Sequence, residues 1–323
     1  MSERALLAGE LGSRHGAAAV LLCDQSNRRW VGHGSGEEGE VLLLSSGLVR
    51  ILAGEELADL TTTLGGLGIH PGALLACDRR PAALVGYPCL ELGDELAAAR
   101  MRKAPEELEL IAAAAALADA GQAAVRESAA AGVSETELWA AGQEAMAAAG
   151  GDLQALCDLL SGERSALIDG GPGPRALAGG DAVLFDLAPR FGGYWADSCA
   201  TFVLGRPSAA LRACHDTVRA ALEAGIAAAR PGASAGAVDA AVRDRLQAGG
   251  LRCPHHSGHG VGLAPQEPPF LVPGEQTPLA EGMVIAIETG AYGEGFGVRL
   301  EHLLAIEADG ARPLTTHSLN LTD

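Results

Sequence analysis

The sequence predicts a two-domain α/β chain whose larger, C-terminal domain is an α+β fold built twice about an internal pseudo-twofold. Three observations predict it. Short apolar runs alternate with turn clusters up to about residue 90, helical alanine-rich text begins near Glu91, and a plan of helices, glycines and acid-tipped β-runs then recurs about every 100 residues. The reading places a small N-terminal domain at residues 1–100 and the duplicated domain at 101–323. With 323 residues, 48% of them apolar, there is enough chain and enough hydrocarbon to bury such a core.

In the first domain, residues 17–23, 41–44, 48–53 and 73–77 read as strands and 57–64 as a short helix. Ala104-Pro105-Glu106-Glu107 then opens a helix, with proline in the first turn and acids at the positive end of the dipole. That helix runs over 105–131 and breaks at Gly132-Val133. A second opens on the capping box Ser134-Glu135-Thr136-Glu137 and stops at Gly150-Gly151. The later half follows the same plan: a helix over 208–229, a break at Arg230-Pro231-Gly232, a restart at Ser234 and a stop at Gly249-Gly250. Each half continues through a Ser-Gly pair, Ser161-Gly162 and Ser257-Gly258, to a β-run that ends in an acid, Asp186 and Glu288.

Charge excludes one class of partner. Asp and Glu outnumber Lys and Arg by 41 to 23, giving a net −18 with no local basic cluster, so no nucleic-acid partner is expected. The opening residues hold no apolar run of signal-peptide length and no 18-residue apolar stretch follows, so no membrane partner is expected either. Seven cysteines without a C-x-x-C spacing read as reduced thiols of a cytoplasmic protein. Cys199 reads as packing, and Trp195 is balanced between pocket and core.

The acids carry the chemistry. If the stretch from Asp186 to Asp197 is a hairpin with its tip at Phe191-Gly192-Gly193, Asp186 and Asp197 face each other among Val183, Phe185, Tyr194 and Phe202. Glu288 and Glu301 likewise flank Gly293-Glu294-Gly295, with the turn centred on residues 294 and 295. Four carboxylates packed together repel one another unless cations lie between them. His259, between two glycines, adds an imidazole where the backbone can approach closely. Four oxygen donors and one nitrogen suit two divalent ions such as Mn, Co, Zn or Fe, with Mn favoured and Ca less natural. Paired ions of this kind activate water and polarise a carbonyl, which is hydrolytic chemistry.

These motifs, together with Gly258-His259-Gly260-Val261-Gly262, Gly282-Met283, Glu288-Thr289-Gly290 and Gly297-Val298-Arg299-Leu300-Glu301, resemble the pita-bread metallohydrolases. That family includes methionine aminopeptidase, Xaa-Pro aminopeptidase, prolidase and the metal-free creatinase. Residues 102–108, Arg-Lys-Ala-Pro-Glu-Glu-Leu, look like the entry to the catalytic domain in the Xaa-Pro and creatinase branch. The resemblance implies a pita-bread catalytic domain behind a small creatinase-like domain. In it, Asp186 chelates one metal, Asp197 and Glu301 bridge both, and His259 and Glu288 hold the second. Glu288 takes the proton of a metal-held water that attacks an amide near the N-terminus of a small peptide. It further implies a substrate or proton-shuttle role for His255, support of the site by Arg299, and a homodimer. The residues themselves read Arg299 equally well as a charge partner of the acids.

Two departures bear on substrate. Gln266 stands where the family has a histidine seven residues after the metal histidine, and it can donate a hydrogen bond but carries no charge. Asp169 stands near a second family histidine, where an anion favours a cationic substrate group and disfavours a carboxylate. A non-peptide amide as substrate, and a non-catalytic binding module on the same fold, are the alternatives.

Overall fold

The computed structural model describes residues 3–32, 40–44, 49–52, 55–81, 84–152 and 155–322. It divides into two compact units, Met1–Arg100 and Met101–Asp323.

The first unit runs α1 (Glu3–Arg14), β1 (Ala19–Leu22), α2 (Gln25–Trp30), β2 (Glu40–Leu44), β3 (Val49–Leu52), α3 (Glu55–Ala58), α4 (Leu60–Gly66), β4 (Leu75–Cys77), β5 (Cys89–Glu91) and α5 (Gly93–Met101). Its mixed sheet has the order β3-β2-β1-β4-β5, with β1 antiparallel to β2 and parallel to β4. Leu21, Leu60, Leu64 and Leu75 are fully buried in its core. The single helix expected over 57–64 is instead two, because Asp59 turns its carboxylate onto the Thr62 N–H and starts a new helix. The ends of the strand expected over 48–53 lie outside the described residues. One cysteine expectation fails: Cys77 and Cys89 lie on the paired strands β4 and β5 and are joined as a disulfide, while Cys23, Cys157, Cys199, Cys214 and Cys253 are free thiols.

In the second unit the helices follow the caps. They are α6 (Pro105–Ser128), α7 (Glu135–Ala148), α8 (Ala209–Ala228) and α9 (Ala235–Ala248). Ser134, Ser208 and Ser234 each accept the N–H three residues on, and Glu137 closes the capping box onto Ser134. The strands are β6 (Ala155–Ser161), β7 (Ala182–Phe191), β8 (Tyr194–Trp195), β9 (Ser198–Val203), β10 (Gly258–Gly260), β11 (Glu267–Phe270), β12 (Val284–Tyr292), β13 (Gly297–Glu307) and β14 (Gly310–Pro313). One sheet pairs β7 with β6, β8 and β9; the other has the order β11-β10-β12-β13-β14.

The duplication reaches single hydrogen bonds. Gly132 N donates to Leu177 O, Leu177 N to Val133 O, Glu135 N to Arg175 O and Thr136 N to Gly173 O. The second half repeats them as Gly232 to Leu279, Leu279 to Ala233, Ala235 to Thr277 and Gly236 to Glu275. The halves meet at Thr201, whose hydroxyl donates to Arg299 O and accepts from Arg299 N, each at 3.0 Å, tying β9 to β13. Helix α6 is long and apolar enough by composition to cross a bilayer, but its Leu117 and Val125 pack on Phe185 and Leu187 of β7 in a buried cluster.

Candidate metal centre

Strand alternation decides which side chains meet. In β7, Val183, Phe185 and Leu187 pack into the helix-side core, so Asp186 projects from the other face. The expected setting of Asp186 among Val183 and Phe185 is therefore wrong. The expected register is wrong by two as well: Asp186 lies opposite Cys199, not Asp197. The hairpin tip is the two-residue turn Gly192-Gly193, both with positive φ of 56° and 88°, which pairs Phe191 with Tyr194 and moves the centre one residue along. Asp197 instead occupies the break between β8 and β9, with its carboxylate held by its neighbour's Ser198 N–H at 3.1 Å. The second hairpin is as expected: Glu288 lies opposite Glu301, and Gly293 N closes the tip onto Phe296 O.

The acids converge on one imidazole. His259 sits on β10 beside Ala286 of β12, and its Nδ1 is 3.0 Å from its neighbour's Gly260 O. A proton on Nδ1 satisfies that carbonyl and leaves the Nε2 lone pair facing Asp197 Oδ2 at 3.6 Å and Glu288 Oε1 at 3.5 Å. Ligand atoms of Asp197, His259 and Glu301 all lie within 4.8 Å of one another. Burial pushes the His259 pKa down to about 4, so the ring is neutral.

The carboxylates go the other way. Burial, then the neighbouring Asp186, pushes Glu288 up to about 8. Glu301 and Asp197 are raised well above the usual carboxylate range, first by burial and then by one another or by Asp186. Glu301 Oε1 is buried without a hydrogen-bond partner among the described residues. Asp186 is also raised, by burial, though Arg299 opposes this.

Arg299 is the local cation. Its Nη2 lies 3.0 Å from Asp186 Oδ2 and 3.1 Å from Asp158 Oδ2, and Nη1 donates to Ile168 O at 2.9 Å. Of its two readings, the structure therefore shows the charge-partner contacts. His255 has Nδ1 2.7 Å from His256 O and Nε2 3.0 Å from the Tyr292 hydroxyl. Burial, then the charge of Arg299, lowers its pKa to about 4.

A cavity of about 550 Å³ opens over this cluster, and its walls include Asp186, Asp197, Glu288, Glu301, His255, Arg299, Asp169 and Gln266. His259 lies buried beneath. Trp195 is not among the lining residues and stacks with Arg190. Three lining or supporting residues escaped the sequence reading. Asp158 becomes visible only through the register that sets it opposite Asp186. His256 lies 3.3 Å from Glu288 Oε1, and its place beside His255 was the one available signal. Tyr292 has no motif of its own.

Known proteins give the following. The model of metallopeptidase family M24 matches residues 109–308. A "Probable dipeptidase PepE" from Mycobacterium bovis is 35% identical over 257 residues, covering 76% of this chain and 68% of that protein. An Xaa-Pro dipeptidase from Pyrococcus furiosus is 34% identical over 229 residues, 70% of this chain and 66% of that protein. Among solved structures, a prolidase from Pyrococcus horikoshii superposes with a TM-score of 0.90 at 25% identity, over 99% of this chain and 100% of that one. The fold is the pita-bread fold that the motifs imply.

Proposed function

The chain belongs to metallopeptidase family M24, and on that premise we propose that its cavity hydrolyses the amide bond near the N-terminus of short peptides, as Xaa-Pro dipeptidases and aminopeptidases do. The observation that carries this is the convergence of Asp197, Glu288 and Glu301 on the neutral imidazole of His259 beneath one cavity, with Asp186 in the cavity wall.

The residues fit a pair of divalent ions. Three of the acids are raised above the usual carboxylate range, Glu288 to about 8, and one buried Glu301 oxygen has no hydrogen-bond partner among the described residues. Cations there would relieve both costs. Asp186, Asp197, His259, Glu288 and Glu301 would hold them, and this mixed set of hard oxygens with one imidazole favours Mn. When bound, such ions supply Lewis acidity toward a carbonyl and a water made acidic at neutral pH.

The remaining chemistry belongs to the chain. Glu288, whose carboxylate lines the cavity and faces His259 Nε2 at 3.5 Å, is the proton acceptor. Arg299 is a positioning residue that fixes Asp186 and Asp158. His255, held by Tyr292, presents a neutral ring to substrate. Gln266, in the wall, offers an amide N–H to an oxygen that gains charge. A cytoplasmic homodimer completes the reading: the family resemblance supports the dimer, and the five free thiols support the compartment while the Cys77–Cys89 disulfide speaks against it.

Hydrolysis of Ala-Pro and of Ala-Pro-extended peptides by Mn-loaded protein, with and without a chelator, tests the proposal. Cleavage that stops with the chelator and returns with Mn supports it; absence of any cleavage across the series counts against it.

A further inference from the structure

Six carboxylates line the cavity, those of Asp158, Asp169, Asp186, Asp197, Glu288 and Glu301, against the one guanidinium of Arg299. With the imidazoles uncharged, five negative charges stand unbalanced. Two divalent ions held by the ligand acids would supply four positive charges, which would leave one negative charge over.

Its location follows from the contacts. Asp158 is satisfied on both oxygens, by Gly170 N at 3.0 Å and by Arg299 Nη2 at 3.1 Å. Asp169 is exposed at the cavity wall and makes no hydrogen bond or ion pair among the described residues. Its position is nonetheless fixed from both sides. Ile168 O accepts from Arg299 Nη1 at 2.9 Å, while Gly170 is bonded through N to Asp158 and through O to Leu159 N at 3.1 Å. A carboxylate on a backbone pinned from both sides, in the wall of a charged cavity and without a partner among the described residues, acts on whatever enters.

We propose that Asp169 selects substrate charge at this site: it admits a peptide that brings a cation or a neutral amide to it and turns away one that brings a free carboxylate. The substrate class is then C-terminally blocked or longer peptides, or peptides with a basic group near the cleaved bond, in preference to free zwitterionic dipeptides. This rests on the hydrolytic reading above. Exposure of Asp169 to water screens the interaction, so the discrimination is about fivefold, toward the low end for unit charges roughly 5 Å apart.

The test compares Ala-Pro with Ala-Pro-amide as substrates of the Mn-loaded protein, and proline with prolinamide as calorimetric ligands, in wild type, Asp169→Asn and Asp169→His. The expected result is an amide-to-acid ratio in kcat/KM about fivefold higher in wild type than in Asp169→Asn, carried by KM, with the same change in the ratio of binding constants. Asp169→His moves the ratio further toward the acid, and raising the salt shrinks the wild-type preference. Equal ratios in wild type and Asp169→Asn overturn the proposal. Should neither peptide be cleaved while the calorimetric ratio still shifts, charge selection stands and the hydrolytic reading falls.

Discussion

Cys199 stands opposite Asp186 in the first half where Glu301 stands opposite Glu288 in the second. Two residues earlier, Asp197 and Arg299 hold equivalent places. The duplicated scaffold therefore carries asymmetric chemistry. One half uses an acid at the strand break and a thiol on the ladder; the other uses an acid on the ladder and, at the matching place, the cation that pairs with Asp186.

That pairing gives a first prediction. Arg299 is buried, and its removal leaves Asp186 and Asp158 without their partner. Breaking a buried pair in this way costs about 3–5 kcal/mol. Arg299→Met should lower the unfolding free energy of the metal-free protein by that margin, read as a lower midpoint in urea titration, and Mn should restore part of it. A midpoint unchanged from wild type would show that the guanidinium holds nothing.

A second concerns pH in the metal-free state. Glu288 is raised to about 8 in the fold from an ordinary value near 4.5, so the folded state holds a proton that the unfolded state has lost. The resulting stability is complete below the unfolded pKa and disappears as pH rises through about 8. Metal-free protein should thus melt at lower temperature at pH 9 than at pH 6, and Glu288→Gln should flatten that slope. A wild-type slope of the opposite sign would be inconsistent with buried, mutually repelling acids.

Helix packing supplies a third. A Cβ on Gly121 would lie 2.6 Å from Leu187 Cδ2, and one on Gly225 would lie 2.6 Å from Val242 Cγ2 and 3.1 Å from Ile287 Cγ2. Alanine is the better helix former by about 1 kcal/mol, yet overpacking costs about 1–3 kcal/mol. Gly121→Ala and Gly225→Ala should each be neutral to destabilised by about 2 kcal/mol in chemical denaturation, the balance of those two terms. Stabilisation in both would mean that β7 and β12 stand further from the helices than described.

How much of this the chain's text displays depends on the range of each interaction. Helix ends are written locally, in Ser134, Ser208 and Ser234 and in the glycines that follow each helix, and the structure places them within a few residues of the expected bounds. The Glu288–Glu301 register follows from a short loop and was equally legible. The Asp186 register differs by two from the one the spacing suggests because both Gly192 and Gly193 take positive φ, and that choice of turn is not spelled out by two adjacent glycines. Asp158 and Tyr292 were invisible for a different reason: each matters only through a partner far along the chain.

A fourth prediction addresses Gln266 in the cavity wall. Gln266 offers a neutral donor where a histidine would offer a cation or a proton. Gln266→His should raise kcat on peptide amides by about 100-fold, the low end of the range of general acid–base catalysis, with little change in KM. No gain in kcat would place residue 266 outside the reacting region.

Metal content tests the central claim most directly. Protein stripped with chelator, incubated with Mn, gel-filtered and assayed by inductively coupled plasma mass spectrometry should retain two ions per chain in wild type, and fewer in Asp197→Asn and Glu301→Gln. Wild-type protein that retains no stoichiometric metal, while remaining folded, would contradict the account.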